Sequence, residues 1–155
     1  MSNPKRNAER GAGGEPGADA EPISVARSVD LPADPAAVWH AVADPHERTH
    51  WLDDPDAVGR CIHIDESHPE QRLVWTWWSP DDRSDTSTVD LRLTRTPDGT
   101  RLTVVETRRV PAPPGTGPIE ASAGVDSVRR AAPDLWSSRL LGLELRLVLA
   151  GVPAR

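Results

Sequence analysis

Residues 133–150 read PDLWSSRLLGLELRLVLA, the most apolar segment of the chain. Pro133 suits the first position of a helix, where a missing N–H is harmless and φ is already set. Asp134 follows in the first turn, at the positive end of the helix dipole. Trp136, Leu140, Leu143 and Leu147 recur at i, i+4, i+7 and i+11, a single stripe. Leu141, Leu145, Val148 and Leu149 widen that stripe past half the circumference, which predicts a mostly buried helix. Glu144 and Arg146 interrupt an apolar run that is already too short to span a membrane. At about 1.5 Å per residue the helix is about 27 Å long, enough to cross a small sheet. Gly151 and Pro153 stop it.

Upstream, the period changes from helical to alternating. Ile23, Val25, Arg27, Val29 and Leu31 share one face of a first strand, with an arginine on its apolar side. Asp34 caps a short helix that opens at Pro35 and runs through Val38, Trp39 and Val42. Asp44 and Glu47 stand at capping-box spacing for a second short helix ending near Trp51. A strand is expected over Val58–Ile64, with Val58, Arg60, Ile62 and Ile64 on one face. Gln71–Trp78 sets Leu73, Trp75 and Trp77 against Val74, Thr76 and Trp78. Ser79–Ser84 reads as a turn, and Thr86–Arg95 puts Val89, Leu91 and Leu93 inward. Pro97-Asp98-Gly99 is a hairpin turn. Thr100–Arg108 returns with Leu102, Val104 and Glu106 on one face. Arg109–Ala132 is a long Pro/Gly/Ala-rich loop. The expected fold is α+β: a curved antiparallel sheet wraps the C-terminal helix and leaves a cavity between them.

Composition bounds the function. The 155 residues fit one domain over 22–151, between a disordered tail at 1–21 and a short tail at 152–155. The first tail lacks the apolar core of a secretory signal. Cys61 is the single cysteine, which excludes an intramolecular disulfide and fits a reducing cytoplasm. The net charge is −6, and no lysine follows Lys5, which argues against nucleic acid as a partner. With neither Phe nor Tyr, any aromatic lining comes from the six Trp residues.

Five segments in this order carry a resemblance. They are Ser28–Trp39 (SVDLPADPAAVW), Ala43-Asp44-Pro45 with Trp51, Arg72–Trp77 (RLVWTW), Pro97–Val104 (PDGTRLTV), and the helix bearing Trp136, Leu140 and Leu143. Over roughly residues 23–150 the chain resembles the START-like superfamily, also called SRPBCC or polyketide cyclase/dehydrase-like. The nearest branch is that of homologues of the activator of the heat-shock-protein-90 ATPase. Two departures stand out: only Ala57–Asp65 occupies the place of a Gly-Gly-rich strand and its successor, and Arg109–Ala132 is long. The resemblance implies a helix-grip fold that binds lipids, polyketides or other apolar small molecules between sheet and helix. Lining residues would then be Arg27, Trp39, Trp75, Trp77, Leu91, Leu93, Val104, Glu106, Trp136, Leu140 and Leu143. In the resembling fold the first and last strands are neighbours. Arg27 and Glu106 would then form a buried or half-buried ion pair, set to orient the polar end of a ligand or simply to brace the sheet.

One motif competes with this reading. His46-Glu47-Arg48-Thr49-His50 matches HExxH, the helical zinc-binding signature in which the glutamate is general base. Asp56 stands six residues beyond His50, where some such proteases place a third ligand. Against it, Pro45 puts His46 in the first turn of a short helix, and Asp53 replaces the expected glycine. Capping and packing explain the segment without a metal. Cys61 and His63 share a strand face but lack an orienting partner for catalysis. No phosphate loop, nucleophile elbow or carboxylate pair stands out, and no cofactor is expected. The expected function is binding of a small hydrophobic or amphipathic molecule. The alternatives are a co-chaperone-like protein-interaction module, a polyketide cyclase- or aromatase-like enzyme and a zinc peptidase.

Overall fold

The computed structural model describes residues 22–109 and 135–151. The tail expected over 1–21, the expected loop from residue 110 onward, Pro133, Asp134 and residues 152–155 lie outside the described residues. The strands are β1 (Pro22–Leu31), β2 (Cys61–His68), β3 (Arg72–Ser79), β4 (Asp82–Thr96) and β5 (Gly99–Arg109). The helices are α1 (Pro35–Ala43), α2 (Pro45–Arg48) and α3, over 135–149. All five strands form one antiparallel sheet in the order β1-β5-β4-β3-β2. With α3 against the sheet's inner face, this is an α+β helix-grip fold. No helix among the described residues is long and apolar enough to cross a membrane.

The caps form as the sequence dictates. Asp34 Oδ1 accepts the Ala37 amide at 2.9 Å, and Pro35 opens α1. Asp44 Oδ1 accepts the His46 and Glu47 amides at 2.8 and 3.0 Å. The reciprocal half of the capping box is missing, because the Glu47 carboxylate turns to Arg146 of α3 at 3.1 Å. α2 stops at Arg48 rather than near Trp51. Trp51 is instead drawn into the core, where its indole N–H donates to Ala41 O at 3.0 Å.

Three strand boundaries depart from the alternation. The strand expected from Val58 begins at Cys61. Asp54 Oδ1 accepts the Asp56 and Ala57 amides, and Asp54 O accepts those of Ala57 and Val58. This local bonding competes with the ladder, leaving 54–59 in turns and Val58 exposed. The turn expected over Ser79–Ser84 shrinks to Pro80-Asp81, since Ser79 pairs with Asp82 and β4 starts there. Arg109, placed at the start of the loop, closes β5 opposite Pro22.

The α3 stripe is narrower than expected. Trp136, Leu140, Leu143 and Leu147 are buried, but Leu141, Val148 and Leu145 face outward, the last 54% exposed. The second set, Leu149 included, lies outside the buried arc. The sheet covers one side of the helix, and the stripe at i, i+4, i+7 fills it.

The core is built by rows across the sheet. Val25, Glu106, Val89, Trp75 and Ile64 stand side by side, each register-paired with the next. Ser87 and Trp77 pair in the row on one side of it, and Val104 and Leu91 in the row on the other. Trp75, Trp77, Val89, Leu91 and Val104 of these rows join the buried faces of α1 and α3 in one hydrophobic cluster. A single carboxylate, Glu106, is thereby set among apolar neighbours.

Candidate functional site

Alternation along β5 forces Glu106 inward between Leu102, Val104 and α3, where it is 9% exposed. A charge buried there needs donors. Trp136 of α3 donates its indole N–H to Glu106 Oε2 at 2.6 Å. On the other oxygen, Oε1 accepts the Trp77 indole N–H at 3.1 Å and the Ser87 hydroxyl. Trp77 Nε1 also donates to Ser87 Oγ at 2.6 Å. The carboxylate is thus gripped by two indoles and a hydroxyl, and it bridges β5, β4, β3 and α3.

Two arginines lie over this aromatic pair. The Arg139 guanidinium is 5.2 Å from the Trp77 ring and 5.0 Å from that of Trp136. Arg60 lies 5.0 Å from Trp77. Arg139 is 3% exposed and makes a forked bond to Asp54, at 2.7 and 2.9 Å, with a further bond to Asp56 at 3.0 Å. Burial works against its charge, but the two carboxylates outweigh burial and raise its pKa above the ordinary value. The same bond from Arg139 holds the Asp54 carboxyl below the usual carboxylate range. Arg60 reaches Asp85, which Arg108 also engages at 2.9 Å. The turns at 54–59 are therefore bolted to α3 and to the sheet.

The expected Arg27–Glu106 ion pair does not form. Arg27 pairs with Val104 in the ladder, one row from Glu106. It is half-buried and donates to Ala26 O at 3.0 Å and Ser137 Oγ at 3.4 Å, while Glu106 is taken up by the indoles. Trp75, Trp77, Leu91, Leu93, Val104, Trp136, Leu140 and Leu143 are brought together in the core cluster, and Trp39 packs half-buried at its edge. Trp75 Nε1 is buried without a hydrogen-bond partner. The His46 and His50 rings meet edge-on at 5.1 Å, but α2 ends before His50 and Glu47 is held by Arg146. Among the described residues no group of three or more His, Cys, Asp or Glu is arranged to hold a metal.

Sequence reasoning missed Ser87, Arg139 and the Asp54 partner. Ser87 was legible, since it alternates with Val89, Leu91 and Leu93. Arg139, three residues after Trp136, also lies on the inward arc. Asp54 gave no such signal, because only the turns at 54–59 carry it to α3.

Two open clefts flank those turns. One, about 370 Å³, is lined by Asp56, Asp81, Asp85 and Arg60 with Pro55, Val58, Gly59, Ser79 and Pro80. The other, about 480 Å³, lies between α2 and the start of β2.

A five-stranded antiparallel sheet gripping a C-terminal helix, with two short helices after β1, is the architecture of a START-like domain. Residues 32–126, more than half of the chain, match the family described as Activator of Hsp90 ATPase homolog 1-like protein, and the chain belongs to that family. No curated protein matches the sequence. Among solved structures, protein MLL2253 from Mesorhizobium loti is 23% identical, with a TM-score of 0.59 over 81% of this chain and 96% of that one. SA2116 from Staphylococcus aureus, a protein of unknown function, is 11% identical, with a TM-score of 0.64 over 83% and 97%. DynU16, from the dynemicin biosynthetic locus, is 25% identical, with a TM-score of 0.53 over 85% of this chain and 49% of its own length.

Proposed function

We propose that the protein binds a hydrophobic or amphipathic small molecule between sheet and α3, with Glu106 as the polar anchor. The observation that supports this reading is the Glu106 carboxylate, a hydrogen-bonding point enclosed by Trp77, Ser87 and Trp136 within an apolar cluster. A hydroxyl or amide on the ligand would replace one of these donors, while the ligand's apolar body displaces packed side chains beside Trp136. The family and the helix-grip fold agree with such a role. The origin of DynU16 in a biosynthetic locus favours a biosynthetic product as the ligand class. Cys61, the single and half-buried cysteine, suits a reducing cytoplasm.

Native mass spectrometry of the protein purified from its own host tests this. A co-purifying small molecule is expected on the wild type and is lost from Glu106→Gln. A bare protein mass, or a ligand retained by the variant, rejects the reading. A protein-interaction module is the second reading, favoured by the outward Leu141, Leu145 and Val148 and by Leu149, which is 84% exposed. A co-purifying protein with no small molecule would support it.

A further inference from the structure

The cleft between α2 and β2 opens on the far side of Arg60 from the Trp77 ring, and none of the Glu106 hydrogen-bond donors lines it. Pro45, Leu52, Ala57, Val58 and Ile62 make it apolar, with Thr49 and Gly59. Its charged residues are Arg48 and Arg60; among the described residues no carboxylate lines it, although the chain carries a net charge of −6. Arg60 is already neutralised by Asp85 and Asp56. Arg48 is not: it is 7% exposed, and no carboxylate lies within ion-pair distance of it among the described residues. One of its nitrogens donates to Val42 O and Ala43 O, at 3.2 and 3.1 Å, which fixes the guanidinium at the negative end of α1. Burial lowers the Arg48 pKa, and the charge of Asp44 offsets this in part; the guanidinium also lies 5.5 Å from the Trp75 ring. A buried cation without a counter-ion is costly unless an anion joins it. The volume, about 480 Å³, suits a small molecule with a short apolar body.

From this placement we infer that the α2–β2 cleft is a binding site for a small amphipathic carboxylate. The carboxylate meets Arg48, and the hydrocarbon lies along Leu52, Ala57, Val58 and Ile62.

Titration calorimetry with octanoate, and with octan-1-ol as the uncharged counterpart, provides the test. Octanoate is expected to bind saturably and at least about tenfold tighter than octan-1-ol, the scale of one charge-assisted hydrogen bond. Arg48→Met keeps the stem and loses that preference. Because Arg48 also braces α1, a second pair of variants leaves the fold alone. Val58 is exposed on the cleft wall, so Val58→Asp should weaken octanoate about tenfold or more by like-charge repulsion, while Val58→Asn leaves it nearly unchanged. Equal binding of octanoate and octan-1-ol, no octanoate binding, or equal affinities for Val58→Asp and Val58→Asn would each overturn the assignment.

Discussion

Trp136 and Glu106 are joined by a 2.6 Å hydrogen bond from indole N–H to carboxylate, the direct polar tie between α3 and the inner face of β5. Removing either partner leaves a buried group unsatisfied. Trp136→Phe keeps most of the ring and strands Glu106 Oε2. Glu106→Gln keeps the shape but points an amide N–H at a donor, since both oxygens now accept bonds. Each single variant is expected to lose about 1–3 kcal/mol. The double variant should lose clearly less than the sum, as coupled neighbours do. Urea unfolding followed by circular dichroism measures the cycle, and simple additivity would contradict the coupling.

The bond between Arg139 and Asp54 makes the turns at 54–59 sensitive to acid. The Asp54 carboxyl is held below its ordinary value, first by the Arg139 hydrogen bond. A carboxyl with a lowered folded-state pKa stabilises the fold above the unfolded value, near about 3.9. That contribution fades as pH falls through the folded value, because the unfolded chain then binds more protons. Asp54→Asn should therefore be less stable than wild type at pH 7, and the gap should narrow once the pH falls below the unfolded value of about 3.9. Urea midpoints at the two pH values decide it, and a gap that persists in acid would exclude this linkage.

Two glycines should respond with opposite signs. A Cβ at Gly99 would fall on the Leu31 carbonyl oxygen, where the β4–β5 turn passes the end of β1. Backbone must move, so Gly99→Ala is expected to cost more than about 2 kcal/mol. Gly142 lies within α3, and a Cβ there makes ordinary contact with Trp51 at 3.8 Å. Gly142→Ala should stabilise by about 0.5–1 kcal/mol through helix propensity. Thermal melting of the two variants against wild type tests both signs.

The two sides of α3 predict a further contrast. Leu143 is fully buried in the core cluster, and Leu143→Ala should cost about 2–5 kcal/mol. Leu145 faces outward, so Leu145→Ala should stay within about 0.5 kcal/mol. A large loss at Leu145 would mean that the outward face is covered in solution.

Local chemistry was readable from the chain itself. Asp34-Pro35 and Asp44-Pro45 start α1 and α2 because their carboxylates accept the first free amides. The alternation of Leu102, Val104 and Glu106, and of Leu73, Trp75 and Trp77, put the right faces inward because a strand repeats every two residues. The Trp136–Leu147 stripe fixed which side of α3 is buried, and with the strand order this determined the helix-grip fold. Partnership was decided only in three dimensions. The inward face of β1 and β5 was legible for Arg27 and Glu106 alike, but pairing depends on which donors the folded chain brings nearest. Glu106 meets two indoles and a serine from other elements, so Arg27 turns to Ser137. The turns at 54–59 replace an expected strand because Asp54 bonds its own backbone, and only folding brings that aspartate to Arg139. Arg48, a spacer between His46 and His50 to which the sequence assigned no role, lies beside an apolar cleft because α1 presents its carbonyl end there.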